Sequence, residues 1–191
     1  MAGAKKGAHR ERRWIVFEDE SGFSLTPPLR QTWAPRGRTP VVHHRFNWKR
    51  VSATSALCYR WDGERARLYF QTHPGAYNDV GLISFLEELR RHFRGQRVLL
   101  LWDGLMSHRS RAMVAYLETQ RSWLRVVRMP AYAPELNPVE GVWSHLKTGV
   151  LANRGDDTVD ALIELATAGV RQTRSDQRLL FAFLGQTGLA L

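Results

Sequence analysis

A chain of 191 residues with 43% hydrophobic and 24% charged residues is long enough for one well-packed domain, and its composition excludes a disordered or fibrous protein. Its longest unbroken apolar run, Leu179 to Leu184, is far shorter than the ~20 residues of a membrane-spanning helix, and no signal-peptide core follows the basic N-terminus. The single Cys58 excludes a disulfide framework and predicts a buried small side chain. We therefore predict a cytoplasmic protein without a membrane partner.

The charge is strongly positive, because 28 Lys and Arg residues face 18 Asp and Glu residues and give a formal net charge of +10. The excess is concentrated in the first fifty residues, and most of the basic residues are Arg. Such a balance favours an anionic partner. Arg-rich genomic composition explains the bias equally well, so the charge alone does not establish nucleic-acid binding.

The first part of the chain predicts three strands. Residues 14–17 form a short apolar run before Glu18-Asp19-Glu20, which indicates a buried strand that breaks into a loop at Ser21-Gly22 and leaves Asp19 at the strand's C-terminal end. Residues 26–40 contain four prolines and are predicted to be a loop or an irregular hairpin. Residues 50–59 and 65–72 flank a turn sequence, which predicts an antiparallel hairpin.

The second part of the chain alternates helices and strands. A helix is predicted from Asn78 or Asp79 to about Phe93, and another from Ser107 or Ser110 to about Thr119. The remaining predicted elements are a strand over 98–102 that ends in Asp103-Gly104, a strand over 124–127, a helix of about fourteen residues from Asn137-Pro138, and an amphipathic helix over about 158–174. This order fits an α/β fold with a mixed sheet. If the strands before Asp19 and Asp103 are neighbours, the two carboxylates meet at one edge of the sheet.

Three segments together resemble a known family. They are Phe17-Glu18-Asp19-Glu20-Ser21, Leu101-Trp102-Asp103-Gly104 with the following His108 and Ser110, and residues 130–143 with the sequence Pro-Ala-Tyr-Ala-Pro-Glu-Leu-Asn-Pro-Val-Glu-Gly-Val-Trp. They resemble the DDE transposases of the mariner superfamily, particularly bacterial insertion-sequence members. The resemblance covers roughly residues 14–150. It implies a ribonuclease H-like fold, a mixed five-stranded sheet flanked by helices, and metal-dependent DNA cleavage and strand transfer in transposition.

The resemblance assigns three catalytic, metal-binding acids. Asp19 matches the first, Asp103 the second and Glu140 the third, with 83 and 36 residues between them. Three carboxylates in one cleft need cations, and hard oxygen ligands suit Mg²⁺ or Mn²⁺. Two such ions are expected, since a pair can activate the attacking oxygen and stabilise the leaving one.

Each acid also has an ordinary structural interpretation. Asp19 before Ser21-Gly22 and Asp103 before Gly104 are both typical of strand-end turns. Glu140 sits where a glutamate completes a capping box, with Asn137 as the N-cap and Pro138 at the first helical position. These interpretations explain each acid separately but not their joint occurrence in matching contexts.

DNA contacts are predicted at three basic residues. Arg36 and Arg38 lie in the proline-rich loop, where Trp33 is a candidate for base stacking, and Lys147 lies two helical turns after Glu140. A solvated surface lysine is the ordinary alternative for Lys147. His108 lies where the family often has a histidine, but Gly104 stands where an asparagine is usual, which weakens a specific role for that loop.

The domain organisation predicted from the sequence is a basic N-terminal arm over residues 1–13 followed by the catalytic domain over 14–191. The N-terminal helix-turn-helix domain usual in the family is expected to be absent, so a separate helix-turn-helix subunit or reading-frame product is a possible partner. Double-stranded DNA, as transposon ends and target, and a homodimer in the active complex are the other expected partners. Two alternatives stay open: an inactive DNA-binding transposase remnant, or another ribonuclease H-like nuclease.

Overall fold

A computed structural model describes residues 2–43, 49–73, 75–130, 133–154 and 158–189 of the chain. The strands are β1 Trp14–Ser24, β2 Arg50–Tyr59, β3 Ala66–His73, β4 Val98–Trp102 and β5 Leu124–Arg128. The helices are α1 Ala2–Arg10, α2 Asp79–His92, α3 Arg111–Thr119, α4 Val139–His145, α5 Val159–Ser175 and α6 Gln177–Gln186. Short 3₁₀ turns cover Met106–Arg109 and Pro134–Leu136, and a π turn covers Leu146–Val150.

The five strands form one mixed sheet in the order β3-β2-β1-β4-β5. β1, β2 and β3 pair antiparallel, whereas β4 pairs parallel with both β1 and β5. The predicted hairpin and the predicted five-stranded mixed sheet are therefore confirmed. The adjacency of β1 and β4, on which the meeting of Asp19 and Asp103 depends, is also observed.

Each face of the sheet carries its own apolar core, because successive strand side chains point to opposite faces. Phe17 and Leu101 lie on the face covered by α4, α5 and α6. Val16 and Leu100 lie on the other face, where α2 and α3 pack. The alternation along β1 therefore determines whether each later residue of that strand faces α4 or α2.

The predicted end of β1 is wrong. The strand does not break at Ser21-Gly22 but continues to Ser24, so Asp19 lies in the middle of the strand. The reason is the pairing with β2, which extends without interruption from Ile15 to Ser24. β4, in contrast, pairs with β1 only as far as Phe17, so Asp19 lies just beyond the last residue of that parallel pair.

The predicted helix starts agree with the observed caps. The side chains of Asn78, Ser110 and Thr158 accept hydrogen bonds from the backbone N–H groups of Gly81, Met113 and Ala161 at 2.9, 3.0 and 3.2 Å. Such caps satisfy donors that the first helical turn leaves unpaired. Cys58 is fully buried, as predicted for a small core side chain.

The C-terminal helices hold α4 in place against the sheet. Instead of one helix of about fourteen residues, α4 passes directly into the π turn. The unpredicted α6 packs closely on α4: a Cβ added at Gly141 would lie 2.7 Å from Cδ1 of Phe183. The hydroxyl of Tyr59 donates to the carbonyl of Leu180 at 2.8 Å and ties α6 to β2. The start of α4, which carries Glu140, is thus fixed between sheet and α6.

The segment predicted as a basic arm contains helix α1. Its Ala8 is buried in the core, and the Arg13 guanidinium donates to the carbonyls of Val98 and Trp123 at 3.3 Å each. Arg13 is therefore engaged with the backbone where β4 and β5 begin. In the described residues, no helix is long and apolar enough to cross a membrane.

Candidate active site

Asp19 and Asp103 occupy equivalent positions on neighbouring parallel strands. Phe17 pairs with Leu101, and each aspartate follows two residues later along its own chain. Strand alternation directs Asp19 to the α4 face of the sheet, whereas Asp103 follows the last residue of β4 and its Oδ1 lies 3.0 Å from Nδ1 of His108. The charges of the two aspartates interact, since Asp103 is among the groups that raise the pKa of Asp19. The predicted adjacency of the strands that lead to the two acids is observed, and the two acids interact through their charges.

Glu140 reaches the same region from the first turn of α4. The side chain of Asn137 accepts a hydrogen bond from Val139 N–H at 3.2 Å where the helix starts. One turn later, the indole Nε1–H of Trp143 donates to Oδ2 of Asp19 at 2.8 Å. Residues three apart share a helix face, so Glu140 lies on the side of α4 that faces Asp19. Its charge also raises the pKa of Asp19.

The capping-box interpretation of Glu140 does not fit this geometry. A capping box needs the N-cap backbone N–H as the donor to the glutamate side chain. Here the N–H of Asn137 already donates to the carbonyl of Pro134 at 2.9 Å, in the 3₁₀ turn before α4. Glu140 is exposed, and its carboxylate is available for the cleft. Ala131 and Tyr132 of the same motif lie outside the described residues.

The electrostatics of Asp19 indicate a site that needs a cation. Burial raises its pKa to about 7, the hydrogen bond from Trp143 opposes this shift, and the negative charges of Glu140, Glu20 and Asp103 add to it. Such a group of carboxylates is stable only when protons or metal ions compensate the charge. Hard carboxylate oxygens from three chain segments fit Mg²⁺ or Mn²⁺.

Asp103 is oriented by the turn that follows β4. Its Oδ1 accepts a hydrogen bond from Leu105 N–H at 2.9 Å and lies 3.0 Å from Nδ1 of His108. The His108 ring stacks on Trp102 with a centroid distance of 4.1 Å. Sequence reasoning gave His108 little weight because of Gly104. The structure makes it the buried side chain that positions Asp103 while 41% of the Asp103 side chain stays exposed.

Glu18 and Glu20 form a second acidic group that sequence reasoning missed. They point to the α2 face, opposite to Asp19, as the alternation of side chains along β1 would have predicted. Nε2 of His108 lies 3.2 Å from Oε1 of Glu20 and 4.0 Å from Oε2 of Glu18. The hydroxyl of Thr54 donates to Oε1 of Glu18 at 2.7 Å. One carboxylate oxygen of Glu18, one of Glu20 and one ring nitrogen of His108 lie close enough together to serve as metal ligands.

The pKa values of Glu18 and of the adjoining His108 are shifted upward. Burial and the charge of Glu20 raise the pKa of Glu18 well above its ordinary value, against the hydrogen bond from Thr54. Burial alone would lower the pKa of His108, but hydrogen bonding and charge from Glu20 and Asp103 raise it overall. The strand β1 therefore carries ionisable carboxylates on both of its faces.

The three predicted DNA-contact residues lie in two places. Nζ of Lys147, on the π turn after α4, donates to Oγ of Ser21 at 2.7 Å, which puts the ammonium beside the Asp19 face of β1. Arg36 and Arg38 are exposed on the loop between β1 and β2. Trp33 on the same loop is fully exposed.

The mixed sheet in the order β3-β2-β1-β4-β5, with helices packed on both faces, is a ribonuclease H-like fold. The chain matches the DDE superfamily endonuclease family over residues 14–163, and it belongs to that family. Two curated relatives are similar to it. The Transposable element Tc3 transposase of Caenorhabditis elegans is 26% identical over 155 residues, which cover 78% of this chain and 46% of the relative. The Insertion element IS630 uncharacterized 39 kDa protein of Shigella sonnei is 25% identical over 140 residues, covering 73% and 39%.

Solved structures show the same fold. The Mos1 transposase paired-end complex with left transposon end matches with a TM-score of 0.67 at 20% identity, over 97% of this chain and 56% of that one. The catalytic domain of Mos1 mariner transposase matches with a TM-score of 0.52 at 16% identity, over 100% and 89%. The predicted ribonuclease H-like fold is confirmed. The chain spans less than half the length of the curated relatives it matches.

Proposed function

We propose that this chain is the catalytic part of a transposase that cuts DNA strands and joins them to a target. Asp19, Asp103 and Glu140 are the catalytic acids and hold Mg²⁺ or Mn²⁺, with two ions bound. The observation that carries the proposal is the electrostatic environment of Asp19, whose pKa is raised to about 7 by burial and by the charges of Glu140, Glu20 and Asp103. Family membership supports the same reaction class.

The chain's own residues prepare the acids for this role. Trp143 fixes one oxygen of Asp19, and the Leu105 N–H group and His108 fix one oxygen of Asp103. Glu140 stands exposed at the start of a helix that α6 holds in place. When bound, divalent ions would activate the attacking oxygen and stabilise the leaving oxygen during in-line displacement at a phosphodiester.

The proposed reaction has two steps. Water attacks first and frees a 3′-hydroxyl at the end of the element, and that hydroxyl then attacks target DNA. Lys147 lies next to Ser21, two residues along β1 from Asp19, so its ammonium can bind a phosphate of the strand in the cleft. The partners proposed are double-stranded transposon ends and target, a second copy of this chain, and a separate helix-turn-helix product.

The direct test is nicking of a supercoiled plasmid by the purified chain. Nicked circles should form with Mg²⁺ or Mn²⁺ and should not form in EDTA, because the acids need cations to act. A folded, DNA-binding chain that nicks with neither ion would contradict the proposal and would support the alternative of an inactive DNA-binding remnant. Nicking that persists in EDTA would exclude metal-dependent chemistry at these acids.

DNA binding through the loop between β1 and β2 gives a second prediction. Arg36 and Arg38 are exposed there beside the fully exposed Trp33. Replacing both arginines by Ala should lower the slope of log affinity against log salt by up to about one unit per lost phosphate contact, and equally for unrelated duplexes. The measurement is a salt titration of affinity on two duplexes of different sequence.

The matched control removes the same charge elsewhere. Arg91→Ala/Arg94→Ala changes two exposed arginines near the end of α2, beside the start of β4 and therefore at the opposite end of that strand from Asp103. The control should leave the salt slope within a few tenths of a unit of wild type. An unchanged slope in Arg36→Ala/Arg38→Ala, or a strong preference for one duplex, would show that this loop is not the binding surface.

A further inference from the structure

Glu18, Glu20 and His108 form a buried group on the α2 face of β1, away from the face of Asp19. Their candidate ligand atoms all lie within 4.8 Å of one another. The side chains of Glu18 and His108 are 0% and 1% exposed, and that of Glu20 is 13% exposed. This is a compact set of two carboxylates that the proposed DNA chemistry does not use and one imidazole whose other nitrogen faces Asp103.

Two carboxylate oxygens of this group are left without partners. Oε1 of Glu18 accepts from Thr54, but Oε2 of Glu18 is buried and has no hydrogen-bond partner among the described residues. The same holds for Oε2 of Glu20. A buried carboxylate oxygen without a donor is costly, and a proton or a metal ion at that oxygen removes the cost. The oxygen of Glu18 faces Nε2 of His108 across 4.0 Å.

Both ring nitrogens of His108 face acceptors, and Nε2 points toward the two glutamates. Its Nδ1 lies 3.0 Å from Oδ1 and 3.2 Å from the carbonyl oxygen of Asp103, both of which are acceptors. Nδ1–H donates to Asp103, and a metal ion would take the place of the proton in the 3.2 Å hydrogen bond between Nε2 and Oε1 of Glu20. A histidine that donates one N–H to a carboxylate and presents the other nitrogen is the usual arrangement of a metal-bound imidazole.

The distances also suit one ion. Bonds of about 2.0 to 2.2 Å to nitrogen and oxygen place the ligands of a tetrahedral or octahedral ion roughly 3 to 4 Å apart. Nε2 of His108 is 3.2 Å from Oε1 of Glu20 and 4.0 Å from Oε2 of Glu18. Modest side-chain adjustment around a central ion would satisfy the unpartnered Oε2 of Glu18.

We propose that Glu18, Glu20 and His108 bind a first-row transition-metal ion, for which Zn²⁺ is the reference, at a site separate from the Mg²⁺ site of the three catalytic acids. The mixed nitrogen and oxygen ligands favour such an ion over Mg²⁺, which prefers oxygen alone. The ion ties β1 to the turn after β4 through His108 and so fixes the loop that orients Asp103. The site does not depend on the proposed transposase activity.

The test is calorimetric titration with Zn²⁺ in the presence of excess Mg²⁺. Wild type and the double variant Asp19→Asn/Glu140→Gln should each bind one Zn²⁺ with the same affinity, because the double variant keeps Glu18, Glu20 and His108. Glu20→Gln and His108→Gln should each bind at least about tenfold more weakly. The matched control is Glu118→Gln/His43→Gln, an exposed carboxylate and an exposed histidine, which should bind like wild type.

Three outcomes overturn the site: no saturable Zn²⁺ binding by wild type, equal binding by the ligand variants, or loss of binding in Asp19→Asn/Glu140→Gln.

A second measurement uses the wild-type protein alone. Anomalous diffraction at the zinc edge from wild-type crystals grown with Zn²⁺ should place a peak between Glu18, Glu20 and His108. A peak only among Asp19, Asp103 and Glu140 would overturn the proposal. Plasmid nicking reports the other site, so failure of either proposal is recognised independently.

Discussion

Asp19→Asn, Asp103→Asn and Glu140→Gln are each expected to reduce Mg²⁺-dependent plasmid nicking by about 10³-fold or more. The reason is that bound metal ions would stabilise the negative charge on the attacking and leaving oxygens by several kcal/mol, and each 1.4 kcal/mol is about a factor of ten in rate. An amide keeps the shape of the carboxylate but is a far weaker ligand for a hard cation. The measurement is the initial nicking rate of each purified variant with saturating Mg²⁺.

The matched control for these three substitutions is Glu135→Gln, an exposed glutamate in the 3₁₀ turn just before α4. It removes the same charge close to Glu140 without touching the proposed ligands, so its nicking rate should stay within about twofold of wild type. Circular dichroism should show that all four variants keep the wild-type helix content. Near wild-type nicking by any one of the three acid variants would remove that residue from the catalytic set.

Much of the site follows from local sequence pattern. The apolar runs before Asp19 and Asp103 predict buried strands, and the cap and proline before Glu140 predict the start of a helix. What pattern alone does not give is adjacency, since several orders of five strands satisfy the same periodicity. The observed pairing of Phe17 with Leu101 shows that the two strands are adjacent. It places Asp19 and Asp103 at the same distance along their strands.

Other features depend on contacts distant in the sequence. Gly22 and the polar residues before it favour a turn, yet β1 continues because β2 offers a pairing partner for every residue to Ser24. Trp143 was part of the recognised motif, but its bond to Asp19 joins residues 124 positions apart. Helix α6 owes its place to packing against α4 and β2. Long-range pairing and packing override local propensity at these points.

His108 shows how one local departure can mislead. Gly104 stands where the family usually has an asparagine, and this departure weakens the prediction of a specific role for the loop that contains His108. The role of His108 is instead determined by burial under Trp102 and by contacts to two chain segments, Asp103 on one ring nitrogen and Glu20 on the other. The alternation of Glu18, Asp19 and Glu20 along β1 was the available signal that acids would occur on both faces.

In the absence of metal, Asp19→Asn is expected to be more stable than wild type at pH 8 by a few kcal/mol, although it removes a catalytic residue. The pKa of Asp19 is raised from 3.8 to about 7 in the folded chain. The stability associated with its bound proton is fully present below pH 3.8 and is lost as the pH rises through about 7. Asparagine is neutral at every pH, so the variant does not lose this stability as the pH rises. Each unit of pKa shift corresponds to about 1.4 kcal/mol.

The difference in unfolding free energy between Asp19→Asn and wild type should therefore be small at pH 4, grow to about pH 7 and stay constant above it. Urea unfolding in EDTA over this range measures it, with Glu135→Gln as the exposed control whose difference from wild type should not change with pH. Mg²⁺ should then stabilise wild type and reduce the gap, because the cation compensates the carboxylates only where Asp19 is present. A stability difference that is independent of pH would mean that burial and the neighbouring carboxylates do not disfavour the ionised form of Asp19. The electrostatic argument for a cation at these acids would then fail.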